Sequence, residues 1–505
     1  MKTVFVLFDS LNRHMLGAYG GARIPTPNFD RLAARCAIYD NHYVGSLPCM
    51  PARRDMLTGR LTFLHRSWGP LEPFDDAFPE RLHRAGVYSH LITDHFHYWE
   101  DGGATYHNRY DSYEFVRGQE GDRWKAMVQP HWERLREMYH ARQFSSERRT
   151  YLSQNIINRQ FIREEKDFPS VQCFAHAFDF LDRNRDAEGW LLQLETFDPH
   201  EPFTAPARFK APFDTGWQGG VRDWPRYGRV DELPEECEEL RANYYAIVSM
   251  CDFLLGQLLD YFDRHAMWKD TALVVTTDHG FLLGEHDFWA KNRMNLYQEV
   301  AHIPLFVFDP RRPANGARVE RLTQSVDLAP TFLDLFGVAP ASGIEGVSLL
   351  RPALREGLLY GYFGGAVNVT DGRYTYHRFP KDLKTQEIYQ YTLMPTHIFD
   401  MFSTEELALA ELAPATPYSD GAKLLKVPVI ERSPMYNVYG PGALLEDATR
   451  LYDLVADPGQ LAAIDDPATV ERLSALMARL MRDNHAPPEA FARLGEPFPR
   501  LAAAM

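Results

Sequence analysis

A short segment beginning at Cys49 combines a nucleophile with an arginine at helical spacing. Pro51 suits the first turn of a helix, where its missing N–H has no cost, and Gly59 provides a stop. The sulfur therefore lies at a helix N-terminus, where free N–H groups and the helix dipole favour negative charge. Arg53, one turn further on, shares a face with Cys49. This arrangement predicts attack on a charged tetrahedral ester.

Further reactive side chains follow apolar segments that are typical of buried parallel strands. These segments end at Phe8, Thr93, Thr196 and Thr277. The carboxyl ends of such strands meet at one edge of a sheet, so the residues after them are expected to lie together. The candidates are Asp9, which could bind a metal ion, and His95, His97, His200, Asp278 and His279.

Several of these segments resemble motifs of the type I sulfatases, a family of the alkaline phosphatase superfamily. Cys49-x-Pro51-x-Arg53, followed by the run 57–60 (LTGR), resembles the sulfatase signature. Asp278-His279-Gly280 is similar to a metal half-site of the family. The resemblance extends from Asp9 to Leu454, over nearly the whole chain, and implies a sulfuric ester hydrolase acting on a small-molecule or sugar sulfate.

The resemblance also implies a modified nucleophile and a bound ion. In this family the cysteine is oxidised to formylglycine, whose hydrate attacks sulfur, so a formylglycine-generating or other sulfatase-maturing enzyme is an expected partner. Asp9, Asp278 and His279 would hold one divalent cation. Carboxylates with one imidazole favour calcium, with manganese or magnesium as alternatives.

The remaining site residues take implied roles in binding and proton transfer. Arg53 and Lys291 would balance charge on the sulfuryl oxygens, and His95, standing where many sulfatases have lysine, would contact the substrate. His200 would protonate the leaving oxygen, and His97 would help to break down the covalent adduct.

One departure from the family pattern keeps other functions open. Ser10 stands where sulfatases carry a second acid after the first strand, which puts ion coordination at this position in doubt. A phosphonate monoester or phosphodiester hydrolase of the same superfamily is the main alternative. An unmodified Cys49 thiolate, acidified at the helix N-terminus, and a non-catalytic binding protein with this fold are further alternatives.

Composition narrows the class of protein. The chain has 505 residues, 45% of them hydrophobic and 24% charged, and a formal net charge of −15. This charge argues against nucleic acid and anionic membrane surfaces as partners. The five cysteines show no disulfide framework. No apolar run is long enough for a membrane span, and no signal peptide precedes the first predicted strand, so we expect a cytoplasmic protein. A homo-oligomer is compatible with the sequence.

The order of predicted elements indicates an α/β fold. Strands alternate with helices over residues 1–355, which predicts a catalytic domain with an alkaline-phosphatase-like, doubly wound mixed sheet and helices on both faces. A helical insertion is expected at about residues 115–185, and residues 120–185 are predicted to be helical throughout, in the three pieces 119–141, 146–166 and 170–184. Short, aromatic and turn-rich segments predict a smaller C-terminal α+β subdomain with a short antiparallel sheet at residues 356–505.

Overall fold

The computed structural model describes residues 1–495. Nineteen strands occur in this part of the chain: β1 Lys2–Phe8, β2 Ala37–Tyr43, β3 Ser46–Leu47, β4 Tyr88–Thr93, β5 Ser112–Phe115, β6 Trp190–Thr196, β7 Gly228–Arg229, β8 Thr271–Thr277, β9 Leu282–Leu283, β10 Phe288–Ala290, β11 Leu305–Phe308, β12 Arg318–Gln324, β13 Leu358–Tyr362, β14 Val367–Thr370, β15 Tyr374–Arg378, β16 Tyr389–Thr392, β17 Glu411–Ala413, β18 Leu424–Pro428 and β19 Arg450–Asp453. The α-helices are α1 Pro27–Ala33, α2 Cys49–Thr58, α3 Phe78–Arg84, α4 Ala104–His107, α5 Trp132–Met138, α6 Tyr151–Arg159, α7 Pro169–Asn184, α8 Ala207–Lys210, α9 Pro234–Arg264, α10 Gln298–Ala301, α11 Leu328–Leu335, α12 Thr404–Ala408, α13 Pro434–Asn437, α14 Pro467–Asp483 and α15 Pro488–Leu494.

The centre of the fold is an eight-stranded mixed sheet in the order β12-β2-β11-β8-β1-β6-β4-β5. Neighbouring strands from β8 to β5 run parallel, and β11 runs antiparallel to both of its neighbours. Three of the parallel strands, β1, β6 and β8, are buried along their whole length. Because both faces of these strands are covered, their apolar residues form continuous runs and do not alternate with polar ones.

Helices cover both faces of this sheet. In β1, Val4 and Val6 point to a core that contains α1, α7 and α9, whereas Phe5 and Leu7 point to a core that contains α2, α3 and α11. This alternation follows from the two-residue period of a strand. The predicted doubly wound mixed sheet with helices on both faces is confirmed.

A second, five-stranded sheet has the order β19-β15-β14-β13-β3. Its C-terminal strands pair antiparallel, while β3 joins as a parallel edge strand through Ser46 and Leu47. The apolar side of α14 packs against this sheet and against Phe63, which follows the Cys49 helix. The predicted small antiparallel sheet is present, and it includes a strand from the N-terminal region.

Of the three helical pieces predicted in residues 120–185, the third coincides with α7, whereas the prediction of helix throughout 119–141 and 146–166 is wrong. Those two pieces contain the shorter helices α5 and α6, with loops and a 3-10 turn at Glu165–Asp167 around them. Gly118, Glu120 and Arg149 have positive φ angles, which α-helices do not accommodate. Within residues 1–495, no helix is both long and apolar enough to cross a membrane.

Candidate active site

The register of the central sheet aligns the strand ends that carry the predicted residues. Phe8 at the end of β1 pairs with Thr196 of β6 on one side and Thr277 of β8 on the other. Asp9 and Asp278, which follow β1 and β8 directly, thus leave the sheet side by side. On the other side of β6, Thr93 of β4 pairs with Glu195, so the histidines after β4 reach the same edge.

Cys49 is the first residue of α2 and is 3% exposed. Its Sγ lies 3.3 Å from Nε2 of His279 and 3.4 Å from Nζ of Lys291. The helix start, a basic side chain and an imidazole thus converge on the sulfur. The structure brings this predicted nucleophile together with residues that are far from it in the sequence.

Asp9, Cys49, Asp278 and His279 form a group suited to a metal ion. One potential ligand atom from each residue lies within 4.8 Å of all the others, and all four residues are buried. His279 Nδ1 donates to the main-chain oxygen of Gly280 at 2.8 Å, so its Nε2 presents a lone pair to the group. Two carboxylates and an oriented imidazole fit a divalent cation.

Arg53 is held by three carboxylates at the floor of the site. Its guanidinium donates to Asp9 at 2.8 Å, to Asp278 at 2.5 Å and to Glu195 at 2.7 Å. Burial opposes the charge on Arg53, but the three neighbouring acids outweigh this effect and raise its pKa well above the usual range. Arg53 therefore fixes the two aspartates as well as adding positive charge.

Ser10 lies between the aspartates and Lys291. Its hydroxyl donates to Asp9 Oδ1 at 2.7 Å and accepts from Lys291 Nζ at 3.2 Å, while its N–H donates to Asp278 Oδ1 at 3.1 Å. A serine at this position supplies no carboxylate ligand, but it positions two carboxylates and a lysine.

His95 stands at the position where many sulfatases have lysine, but it does not supply the positive charge of a lysine. Its ring is fully buried, and neither ring nitrogen has a hydrogen-bond partner within residues 1–495. Nε2 lies 4.0 Å from Oδ2 of Asp9. Burial, followed by the positive charge of Arg53, lowers the pKa of His95 well below its usual value. His95 is therefore a neutral imidazole with free nitrogens rather than a cation.

His97 and His200 each have one nitrogen fixed by a neighbour. His97 Nδ1 lies 2.6 Å from a carboxylate oxygen of Glu100. His200 Nδ1 donates to the main-chain oxygen of Glu201 at 2.7 Å. Burial and the nearby Lys291 lower the pKa of His200 well below its usual value, so His200 is neutral in the chain alone.

The cysteine thiol is not acidified as its place at a helix N-terminus predicts. Burial raises the pKa of Cys49 well above its usual value. The positive charge of Lys291 lowers this pKa, and the negative charges of Asp9 and Asp278 raise it. This environment disfavours a free thiolate as the nucleophile, which was one of the alternatives from the sequence.

Three buried acids of this region were missed by the sequence analysis. Glu195 had a detectable signal, since it is the one charged residue in the largely apolar strand β6. Glu201 follows a singled-out histidine between two prolines, but nothing marked it as a site residue. Glu120 lies in a loop without any pattern, and it comes close to His200 and Glu201 only in the folded chain.

Comparisons with known proteins agree with the fold and with the family indicated by the sequence motifs. The Sulfatase family model matches residues 2–338, and the model for the C-terminal part of N-sulphoglucosamine sulphohydrolase matches residues 284–410. N-acetylglucosamine-6-O-sulfatase of Bacteroides thetaiotaomicron is 24% identical over 406 residues, which is 70% of each chain.

Solved structures resemble the chain over nearly its full length. A protein in complex with its substrate D-glucosamine-2-N,6-O-disulfate superposes with a TM-score of 0.66 at 16% identity, covering 97% of this chain and 99% of that chain. The phosphonate monoester hydrolase of Agrobacterium radiobacter gives a TM-score of 0.65 at 17% identity, covering 96% and 95%. At these identities the structures show a shared fold.

The fold and the site thus define a hydrolase of the alkaline phosphatase superfamily. Because the Sulfatase model matches about two thirds of its residues, the chain belongs to the sulfatase family. It is an enzyme that hydrolyses sulfuric esters.

Proposed function

We propose that the chain hydrolyses the sulfate monoester of a small alcohol or sugar through formylglycine made from Cys49, with one divalent cation held by Asp9, Asp278 and His279. The observation that carries this proposal is the convergence on Cys49 Sγ of His279 at 3.3 Å and Lys291 at 3.4 Å, beside two buried carboxylates. Calcium is the favoured ion because hard oxygen ligands predominate, with manganese or magnesium as alternatives.

The modified residue and the cation would supply specific chemistry to this arrangement. The hydrated aldehyde would offer two hydroxyl groups in place of one thiol, and the cation would polarise a sulfuryl oxygen and favour ionisation of the attacking hydroxyl. The side chains of the protein itself supply the remaining positive charge and positioning. Lys291 places a positive charge beside the nucleophile, and Arg53 keeps both aspartates in place.

The three histidines have separate roles in substrate binding and in proton transfer. His95, neutral and with both nitrogens free of protein partners within residues 1–495, is suited to a hydrogen bond with the substrate. His200 is the group we assign to the leaving oxygen. It must gain its proton when the anionic ester binds, because burial and Lys291 lower its pKa in the chain alone. Glu100 orients His97 for the later release of sulfate.

Mass analysis of the peptide that contains Cys49 tests the modification. In protein produced together with a sulfatase-maturing enzyme, we expect the mass of an aldehyde at this position in place of the mass of the thiol. An unmodified thiol in fully active protein would contradict the proposal.

A second candidate reaction is hydrolysis of phosphonate monoesters or phosphodiesters. Ser10 keeps this reaction open, because the site has one carboxylate fewer than the family pattern. Sulfate monoesters, phosphonate monoesters and phosphodiesters each carry a single negative charge, so net charge does not separate them. Comparison of kcat/KM for 4-nitrophenyl sulfate, 4-nitrophenyl phenylphosphonate and 4-nitrophenyl phosphate decides between them. We expect the sulfate to be preferred. A phosphonate rate far above the sulfate rate would establish the second candidate, and a dominant phosphate rate would contradict both.

We further infer a division into a catalytic part, residues 1–355, and a smaller part, residues 356–505. The pairing of β3 with β13 supports a tight attachment of the two parts. The cytoplasmic location and the homo-oligomer stay predictions.

A further inference from the structure

Two acids outside the proposed metal group face the same histidine. One side-chain atom from each of Glu120, His200 and Glu201 lies within 4.8 Å of the other two, and all three residues are buried. We call Glu120 and Glu201 the acidic pair. The pair adjoins His200, so it lies on the side of the site assigned to the leaving alcohol rather than to the sulfuryl group.

One carboxylate oxygen of Glu201 is buried and receives no hydrogen bond from residues 1–495. Glu201 is 1% exposed; its Oε1 accepts from the hydroxyl of Tyr227, but its Oε2 has no hydrogen-bond donor within residues 1–495. His200 Nδ1 lies 3.3 Å from this oxygen, yet its N–H is directed to the main-chain oxygen of Glu201 at 2.7 Å. A buried acceptor without a partner is costly, so a ligand that donates an N–H would stabilise it.

The charges of the site leave the acidic pair uncompensated. Asp9, Asp278 and Glu195 oppose Arg53, Lys291 and a divalent cation, which leaves about one positive charge for the singly charged sulfate ester. Lys291 is the cation of this group that acts on both Glu120 and Glu201, and one lysine cannot balance both acids. Burial and then the adjacent Glu201 raise the pKa of Glu120 well above its usual value, and burial raises the pKa of Glu201, so a further cation in contact with the pair would stabilise both carboxylates.

Two tyrosines, Tyr227 and Tyr439, interact with the acidic pair. The Tyr439 ring stacks on Trp68 with centroids 4.2 Å apart, and Tyr439 interacts electrostatically with Glu120 and with Cys49. Tyr227 interacts with both members of the acidic pair. A group that binds the acidic pair therefore meets aromatic as well as acidic side chains, and aromatic rings attract cations.

We propose that Glu120 and Glu201 bind a protonated amino group on the alcohol part of the substrate, so that the ester cleaved is the sulfate of an amino alcohol. The proposal rests on the proposed sulfatase function. The amino group donates to Oε2 of Glu201 and to Glu120, and it places the ester oxygen next to His200. The substrate class is thus a zwitterion with sulfate at one end and ammonium at the other.

A matched pair of esters tests the inference. In 2-aminoethyl sulfate an ammonium group replaces the terminal methyl group of propyl sulfate. We expect the wild-type kcat/KM to be about 10- to 100-fold higher for the amino ester, in line with charged hydrogen bonds at a buried site. Glu120→Gln should lower this ratio by about tenfold, and Glu201→Gln should act in the same direction. Glu133→Gln, an exposed substitution in α5, is the matched control and should keep the wild-type ratio.

Several outcomes would overturn the inference. Equal kcat/KM for the two esters in the wild-type protein, or an unchanged ratio in folded Glu120→Gln, would refute it while 4-nitrophenyl sulfate turnover keeps the proposed function intact. Two divalent cations per chain that fall to one in Glu120→Gln would assign the pair to a second metal ion instead. Absence of turnover with 4-nitrophenyl sulfate as well would refute the proposed function itself.

Discussion

Nε of Arg53 donates to Oε1 of Glu195 at 2.7 Å, and both side chains are almost completely shielded from solvent. The second carboxylate oxygen of Glu195 accepts from the hydroxyl of Tyr98 at 3.0 Å. Glu195 therefore holds Arg53 at its Nε, whereas the two aspartates contact the terminal nitrogens of the guanidinium. It is a positioning residue for the metal group rather than a member of it.

We expect Glu195→Gln to lower kcat by about 10- to 100-fold through misplacement of Arg53. The free energy of unfolding should fall by about 1–3 kcal/mol, because a buried charge-assisted hydrogen bond is weakened while the two aspartates still neutralise the arginine. Kinetics and chemical denaturation measure the two effects. Glu188→Gln, whose carboxylate is 71% exposed and pairs with the N-terminus, is the control. Unchanged kcat in Glu195→Gln would show that Glu195 does not position Arg53.

Replacement of Cys49 should lower the rate of hydrolysis without affecting the stability of the fold. Cys49→Ala is expected to lower kcat by at least about 10³-fold with little change in thermal midpoint, since the lost sulfur makes no hydrogen bond needed by the fold. Cys49→Ser should also lose most turnover, because serine has no second hydroxyl with which to expel sulfate. Retained turnover in Cys49→Ala would mean that water is the nucleophile.

Metal content should depend on Asp278. We expect Asp278→Asn to reduce the bound divalent cation from about one per chain to a small fraction, because loss of a charged ligand weakens a hard-cation site. Elemental analysis after exhaustive dialysis measures this. Asp287→Asn removes an exposed carboxylate nearby in the sequence and should leave the metal content unchanged. Equal metal content in both variants would contradict the ligand assignment.

Acid should destabilise the protein partly through a buried histidine outside the site. His65 stacks on Tyr418, its Nε2 donates to the main-chain oxygen of His485, and burial lowers its pKa to about 3 from 6.5. Since the unfolded chain takes up a proton below pH 6.5 and the folded chain does not, the contribution of His65 is complete above pH 6.5. It is lost as pH falls towards about 3, at about 1.4 kcal/mol per pH unit.

The thermal midpoint of His65→Gln should therefore decrease less steeply than that of the wild type as pH is lowered below 6.5. Glutamine keeps a donor for the His485 oxygen but does not titrate. His131→Gln, at an exposed position, should follow the wild-type slope. Parallel slopes for all three proteins would show that His65 does not titrate differently in the two states.

The sequence predicted the central fold well because its signal is local. The apolar runs at Trp190–Thr196 and Thr271–Thr277 coincide with β6 and β8, since strands buried on both faces contain few polar residues. The loop-rich region around Glu120 was misjudged because its charged and aromatic residues have helical propensity, whereas positive φ angles are set by tertiary contacts.

The site was predicted to the extent that its residues follow strands or match family motifs. Asp9 and Asp278 come directly after β1 and β8 and are adjacent in space. The neutral state of His95 was not predictable, because it depends on complete burial next to Arg53. Glu120 was likewise out of reach, since its loop shows no strand end and no motif.

The pairing of Ser46 and Leu47 with β13 has a consequence for the time course of biosynthesis. The ribosome makes Cys49 early, whereas the strand that locks the preceding residues is made only after some three hundred further residues. During that interval the segment before Cys49 is not yet held by β13, and the proposed maturation of the cysteine would fall in this period. The length of the period is set by the order of residues in the chain.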